Sequence, residues 1–402
     1  MNRRRFLQAV AATSTTPMWL HFADQAVAAP AGEGRVRTRG GGHLLVVFLR
    51  GGNDPLNTVV PYLDPTYRRL RPHVALRETE VLPMGNGFGL HSALGTLHER
   101  WKAGQLAVVQ QVGTAKNDFS HFASTAIWET ASPDRRWAEG WLGRYLDATT
   151  PNAKGPVRAV ALGEIMPTML TGRGAGGVAL ESIVDYAFAD TEAPDAQLRH
   201  GTFGSYSQSP AEAGSSRAAV LKSQREVLSS LDPVTQTSAR NNPRGIVPSM
   251  GETVAQMFSA GVGTEVGFVA LDGFDTHNRL VERHAYVLKE LNFVVSSFFS
   301  SAAQLGVADR STVMVVSEFG RRVPQNNSYG TDHGDAGTVL LIGPRVRGGM
   351  YGPKLDLSQL KDGNLPVKID LRRVYASVLE QWMGVNHSPI LGGRFSTFPL
   401  FT

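Results

Sequence analysis

Six short apolar runs, most of them rich in β-branched residues, recur along the chain: Leu44–Leu49, Leu106–Val112, Val157–Leu162, Val266–Leu271, Thr312–Val316 and Thr338–Ile342. Each is closed by a polar or glycine-containing loop. Unbroken runs of this length suit strands buried on both faces, as in a parallel sheet covered by helices. Between several of them the period changes. Leu280–Phe299 repeats its apolar residues near every 3.6 positions, and Leu371–Met383 reads as another amphipathic helix with Asp370 as its cap. Strands alternating with helices predict a layered α/β sandwich around a mostly parallel central sheet. The chain has no cysteine, so its core must hold it without disulfides, as a chain of 402 residues can.

The N-terminus carries Arg3-Arg4-Arg5-Phe6-Leu7, then an Ala- and Thr-rich stretch that ends near Ala26-Val27-Ala28. Paired arginines before Phe-Leu, followed by small residues at alternate positions, read as a cleavable twin-arginine export signal over residues 1–28. Pro17, His21 and Asp24 break the apolar stretch well short of the roughly 20 residues a membrane span needs. The expected partner is the twin-arginine translocase, and the expected location is periplasmic or extracellular. Residues 29–42 read as a flexible leader and 43–402 as one domain, with a polar helical excursion at about 190–247. Losing three arginines and one aspartate with the signal lowers the formal charge from +5 to +3. With no basic block, nucleic acid is excluded as a partner.

Three of the apolar runs end in acidic or His-bearing loops. Arg50-Gly51-Gly52-Asn53-Asp54 follows the first, Asp272-Gly273-Phe274-Asp275-Thr276-His277 the fourth, and Ser317-Glu318-Phe319-Gly320-Arg321 the fifth, with Asp332-His333 soon after. Ligands of open parallel sheets bind beyond the carboxyl ends of the strands, so these loops are expected to share one edge. Clustered carboxylates and imidazoles repel unless a proton or cation lies among them. Without thiolates, the set suits Zn²⁺, Mn²⁺, Mg²⁺ or Ca²⁺. Singly, each acid also has a simpler role, since Asp54 can cap a turn, Asp275 brace a loop, and Glu318 pair with Arg321 or Arg322. A fourth loop brings Ser120 and His121 to the start of a helix, where the hydroxyl can cap the helix or act as a nucleophile. Gly320-Arg321-Arg322 can bind an anion, although solvated surface arginines are the plainer reading. His91, His98, His284 and His387 have no evident partners. No dinucleotide fingerprint or phosphate-binding loop is present.

FLRGGNDPLNTVVPY, SHFASTAIWETASP, SEFGRRVPQN, GTDHGDAG and RGGMYG, in that order, resemble a family of exported bacterial proteins called domain of unknown function 1501. That family is distantly similar to the alkaline phosphatase and sulfatase superfamily. The resemblance implies metals at the strand ends and hydrolysis of phosphate or sulfate esters. It places Asp54, Asp275, His277, Glu318, Asp332 and His333 among the metal ligands, and Ser120, with His121 beside it, at the catalytic position. Glu318 stands where the superfamily has aspartate, and Phe319 where it has a metal-binding histidine, so one metal site is expected to be altered. An alternative takes Asp332-His333 as the metal-binding Asp-His pair. The implied function is an exported, metal-dependent ester hydrolase. The alternative is a cell-envelope binding or assembly protein without turnover, and a third reading is a transferase or mutase on the same scaffold.

Overall fold

The computed structural model describes residues 41–180, save 116, 117, 154, 156 and 164, and residues 249–402. The expected export signal, nearly all of the expected leader, and the expected polar excursion lie outside the described residues.

Each apolar run forms a strand. They are β1 (His43–Leu49), β2 (Leu106–Gly113), β3 (Ala159–Leu162), β5 (Val266–Leu271), β6 (Ser311–Ser317) and β7 (Gly337–Ile342), joined by the shorter β4 (Val178–Leu180), β8 (Gly349–Tyr351) and β9 (Ile369–Asp370). Among the described residues the central sheet has nine strands in the order β8-β2-β7-β6-β1-β5-β3-β4, with β9 also paired to β2. All pairings are parallel except those of β7, which runs antiparallel to β2 and β6.

β1 is buried at every residue, as its unbroken apolar run requires. Leu44, Val46 and Phe48 share one core with α1 (His121–Thr130), α2 (Trp141–Thr149) and α5 (Leu371–Ser377). Leu45, Val47 and Leu49 face the other core, with α3 (Met250–Ser259) and α4 (Leu280–Gln304). The result is a three-layer α/β sandwich with a mostly parallel sheet. Each buried Leu, Val or Phe contributes about 1.5–3 kcal/mol, so the two cores are the main source of stability. Within α4 the buried residues Leu280, His284, Val287, Leu288, Leu291, Val294, Val295 and Phe298 fall three or four apart, which gives the helix one apolar stripe. Asp370 caps α5 by accepting from Arg372 N, and the chain continues as a wider turn over Val378–Trp382. No helix among the described residues is long and apolar enough to cross a membrane.

Register decides where the chemistry lies. Leu49 of β1 pairs with Leu271 of β5 on one side and Ser317 of β6 on the other, so the three strands end level. A smaller core of Leu56, Val60, Tyr67, Val323, Leu355 and Leu365 packs among the segments that follow these ends.

Candidate metal centre

The loop after β1 depends on two glycines. Gly51 and Gly52 adopt φ of +118° and +77°. A Cβ on Gly51 would come within 2.3 Å of the Asp275 nitrogen, and one on Gly52 within 2.2 Å of the Phe319 ring. Their absence lets the β1 loop lie directly on its neighbours, and Gly51 N–H donates to Glu318 Oε1 at 2.7 Å. The β5 loop supplies Asp275 and His277, the chain after β6 supplies Glu318, Asp332 and His333, and α1 begins with His121.

The three imidazoles are held alike. Nδ1 of His121 meets Glu318 Oε1 at 2.9 Å, Nδ1 of His277 meets Asp332 Oδ1 at 3.2 Å, and Nδ1 of His333 meets the Phe119 carbonyl at 2.8 Å. Carboxylate and carbonyl oxygens only accept, so Nδ1 is the donor at each of these contacts, and Nε2 is left as the atom that can offer a lone pair to a cation. The three Nε2 atoms converge on Asp275. His121 Nε2 lies 3.7 Å from Oδ2, while His277 and His333 Nε2 lie 3.1 and 3.2 Å from Oδ1. Nε2 of His277 and of His333 are 2.9 Å apart. His121, Asp275 and His333 each place one ligand atom within 4.8 Å of the others, a group capable of coordinating a metal ion. The buried Phe319 ring packs beneath two of the imidazoles, 5.0 Å from His121 and 4.6 Å from His333.

Arg321 stands behind Asp275. Its guanidinium is fully buried and donates to Asp275 Oδ1 at 2.5 Å. It also donates to the carbonyls of Gly52, Thr331 and Phe274 at 2.7, 2.7 and 3.2 Å, and to that of Gly51. Partial burial works against the Asp275 carboxylate, but the hydrogen bond and charge of Arg321 outweigh it and hold the group below the usual carboxylate range. Burial lowers the basicity of His333, and the positive charge of Arg321 adds to that, against the opposing bond to Phe119. Asp332 is lowered by the Asn326 side-chain hydrogen bond and by His277.

A family profile described as "Protein of unknown function (DUF1501)" matches residues 88–392, about three quarters of the chain. The protein is a member of the DUF1501 family. Among curated proteins, none matches the sequence. Of solved structures, the C-terminal periplasmic domain of EcEptC from Escherichia coli is similar at 12% identity and a TM-score of 0.40, over 89% of this chain and 86% of that one. Ps i-CgsB in complex with k-i-k-neocarrahexaose is similar at 8% identity and 0.35, over 89% and 73%. The alkaline phosphatase from the Antarctic bacterium TAB5 is similar at 10% and 0.30, over 74% and 91%. Likeness at this level carries nothing about function.

The residues expected at the site of this DUF1501 protein separate into three groups. Asp275, His277 and His333 come together, joined by His121, which sequence placed among the catalytic residues. Glu318 and Asp332 stand behind the cluster, each with a carboxylate oxygen on the Nδ1 side of an imidazole. Asp54, expected as a metal ligand, has other partners: it is fully buried, and its Oδ1 accepts from Leu56 N, Asn57 N and Arg71 Nη1 while Oδ2 accepts from Thr331 Oγ1. That makes it the cap of Pro55–Thr58 and the ion-pair partner of the equally buried Arg71. Ser120 caps α1, its hydroxyl oxygen 3.5 Å from Ala123 N, and is exposed. Arg321 overturns the reading as a surface arginine. Its only sequence signal was its place directly after a glycine at a strand end.

Proposed function

We propose that this DUF1501 protein is an exported, metal-dependent hydrolase of phosphate or sulfate esters, with one divalent ion held by His121, Asp275, His277 and His333. The observation that carries this reading is the gathering of three imidazole Nε2 atoms around one carboxylate, each ring already anchored through Nδ1. Nitrogen-rich donors of this kind favour Zn²⁺ or Mn²⁺ over Mg²⁺ and Ca²⁺. Charge supports it as well: Asp275, Glu318 and Asp332 outnumber the guanidiniums of Arg321 and Arg322 beside them, which leaves the cluster net negative and suits a cation. When bound, such an ion polarises an ester oxygen and eases deprotonation of an attacking hydroxyl. The chain's own contribution is to orient. Ser120 sits at the N-terminus of a ten-residue helix, where free N–H groups favour an anion, and is the nucleophile we assign. His121, next to it, is fixed by Glu318 and serves the ion rather than proton transfer. The signal in residues 1–28 supports passage through the twin-arginine translocase to a periplasmic or extracellular site.

A second reading is an envelope binding or assembly protein without turnover. It is favoured by the capping role of the Ser120 hydroxyl and by Phe319, whose apolar ring closes one side of the cluster. The test is elemental analysis of protein purified without chelator, followed by a panel of aryl phosphates, phosphodiesters and aryl sulfates. One equivalent of metal, and turnover that falls at least a hundredfold in Ser120→Ala (the order of loss for an essential catalytic group), supports the hydrolase. Metal with no turnover on the whole panel supports the second reading, and metal-free protein overturns both forms of the metal centre.

A further inference from the structure

We propose that Arg321 is a positioning residue that fixes the pose of the Asp275 carboxylate, and so sets the metal preference of the cluster. This rests on the reading of the cluster as a metal centre and adds to it a determinant of which ion is taken. Calcium sites commonly chelate an ion through both oxygens of a carboxylate, within flexible sets of six to eight oxygens. Asp275 is denied that flexibility. Its Oδ1 carries the Arg321 hydrogen bond at 2.5 Å, and the guanidinium cannot follow the carboxylate, because the carbonyls of Gly51, Gly52, Phe274 and Thr331 hold it. Those carbonyls belong to the β1 loop, the β5 loop and the segment before His333, so one planar side chain fixes Asp275 against the loops that frame the cluster. A lysine keeps the charge but offers a point donor that cannot span these acceptors. Locked in one pose beside three imidazoles, the carboxylate completes a nitrogen-rich set, which suits zinc and cobalt and leaves magnesium and calcium short of oxygen.

The test compares full-length wild type with Arg321→Lys, using cobalt and zinc as probes and calcium as competitor. Cobalt-loaded wild type should show the intense visible absorption of a four-coordinate ion. In Arg321→Lys the band should weaken, and the zinc-over-calcium affinity ratio should fall by about tenfold or more, the order seen when a ligand loses its supporting contact. A folded Arg321→Lys with an unchanged cobalt spectrum and ratio overturns the proposal. If burial of the site prevents that variant from folding, the crystal structure of zinc-loaded wild type decides. An Asp275 carboxylate that binds the ion while still bonded to Arg321 supports it, and one swung away from Arg321 to reach the ion overturns it. Wild type that binds neither zinc nor cobalt overturns the metal centre itself, an outcome distinct from both.

Discussion

Glu318 and Asp54 are both buried carboxylates just beyond strand ends, yet they do different work because their neighbours differ. Glu318 meets Gly51 N–H, Ser317 Oγ and His121 Nδ1, so its charge fixes an imidazole. Glu318→Gln keeps the shape and removes the charge; metal affinity is expected to fall by about 10–100-fold with the melting temperature little changed, as titration with a competing chelator will show. Asp54 meets Arg71, and both side chains are inaccessible to water. Arg71→Met leaves a buried carboxylate unpaired and is expected to cost about 3–5 kcal/mol in urea unfolding, with metal stoichiometry per folded molecule unchanged. A folded Asp54→Asn variant of normal stability that loses its metal would return Asp54 to the ligand set. Sequence could not separate the two acids. The partner of Asp54 lies 17 residues away across two short helices and a strand, and no spacing rule links Arg71 to it.

Strands were legible because burial on both faces leaves an unbroken apolar run, and β5 begins and ends where its run does. The long α4 was legible for the matching reason, a single stripe at helical period. β8, β9 and the small antiparallel sheet of Val59–Val60, Val81–Gly85 and Phe88–His91 were not, since two to five residues carry no period. The convergence of the loops was legible as a shared edge, but not their contact, which depends on glycine. Gly51→Ala forces a side chain into left-handed backbone and against the Asp275 nitrogen. It is expected to destabilise by more than about 1 kcal/mol and to lower metal affinity as the β5 loop retreats, measured by thermal melting and zinc titration of the same sample. Gly261→Ala is its control, since that glycine shares a positive φ but has open space around it; it should carry the backbone cost alone and leave zinc binding intact.

At the scale of the whole molecule, stability and pH are linked through histidines away from the cluster. Burial drives His284 down to about 3 from its usual 6.5, against the opposing pull of Asp54, and His91 down to about 4. The unfolded chain takes up a proton below 6.5 that folded His284 refuses until about 3. Its stabilising contribution is therefore complete above 6.5 and is lost as pH falls toward 3, at about 1.4 kcal/mol per pH unit. Urea unfolding at pH 7, 5.5 and 4.5 is expected to show that decline, and His284→Gln should reduce it by about half, with His91 supplying the rest. A wild-type stability independent of pH over this range would contradict the assignment. The expectation of export rests on the sequence alone, since residues 1–28 lie outside the described residues. Protonation geometry was readable only from the fold, because Nδ1 partners come from three separate segments. The most direct test of the central claim is nitrogen-15 resonance spectroscopy of the histidine-labelled protein during zinc titration. Three histidines, His121, His277 and His333, are expected to hold the proton on Nδ1 before zinc and to shift at Nε2 with one equivalent. No histidine response to zinc, or binding through Nδ1, would contradict it.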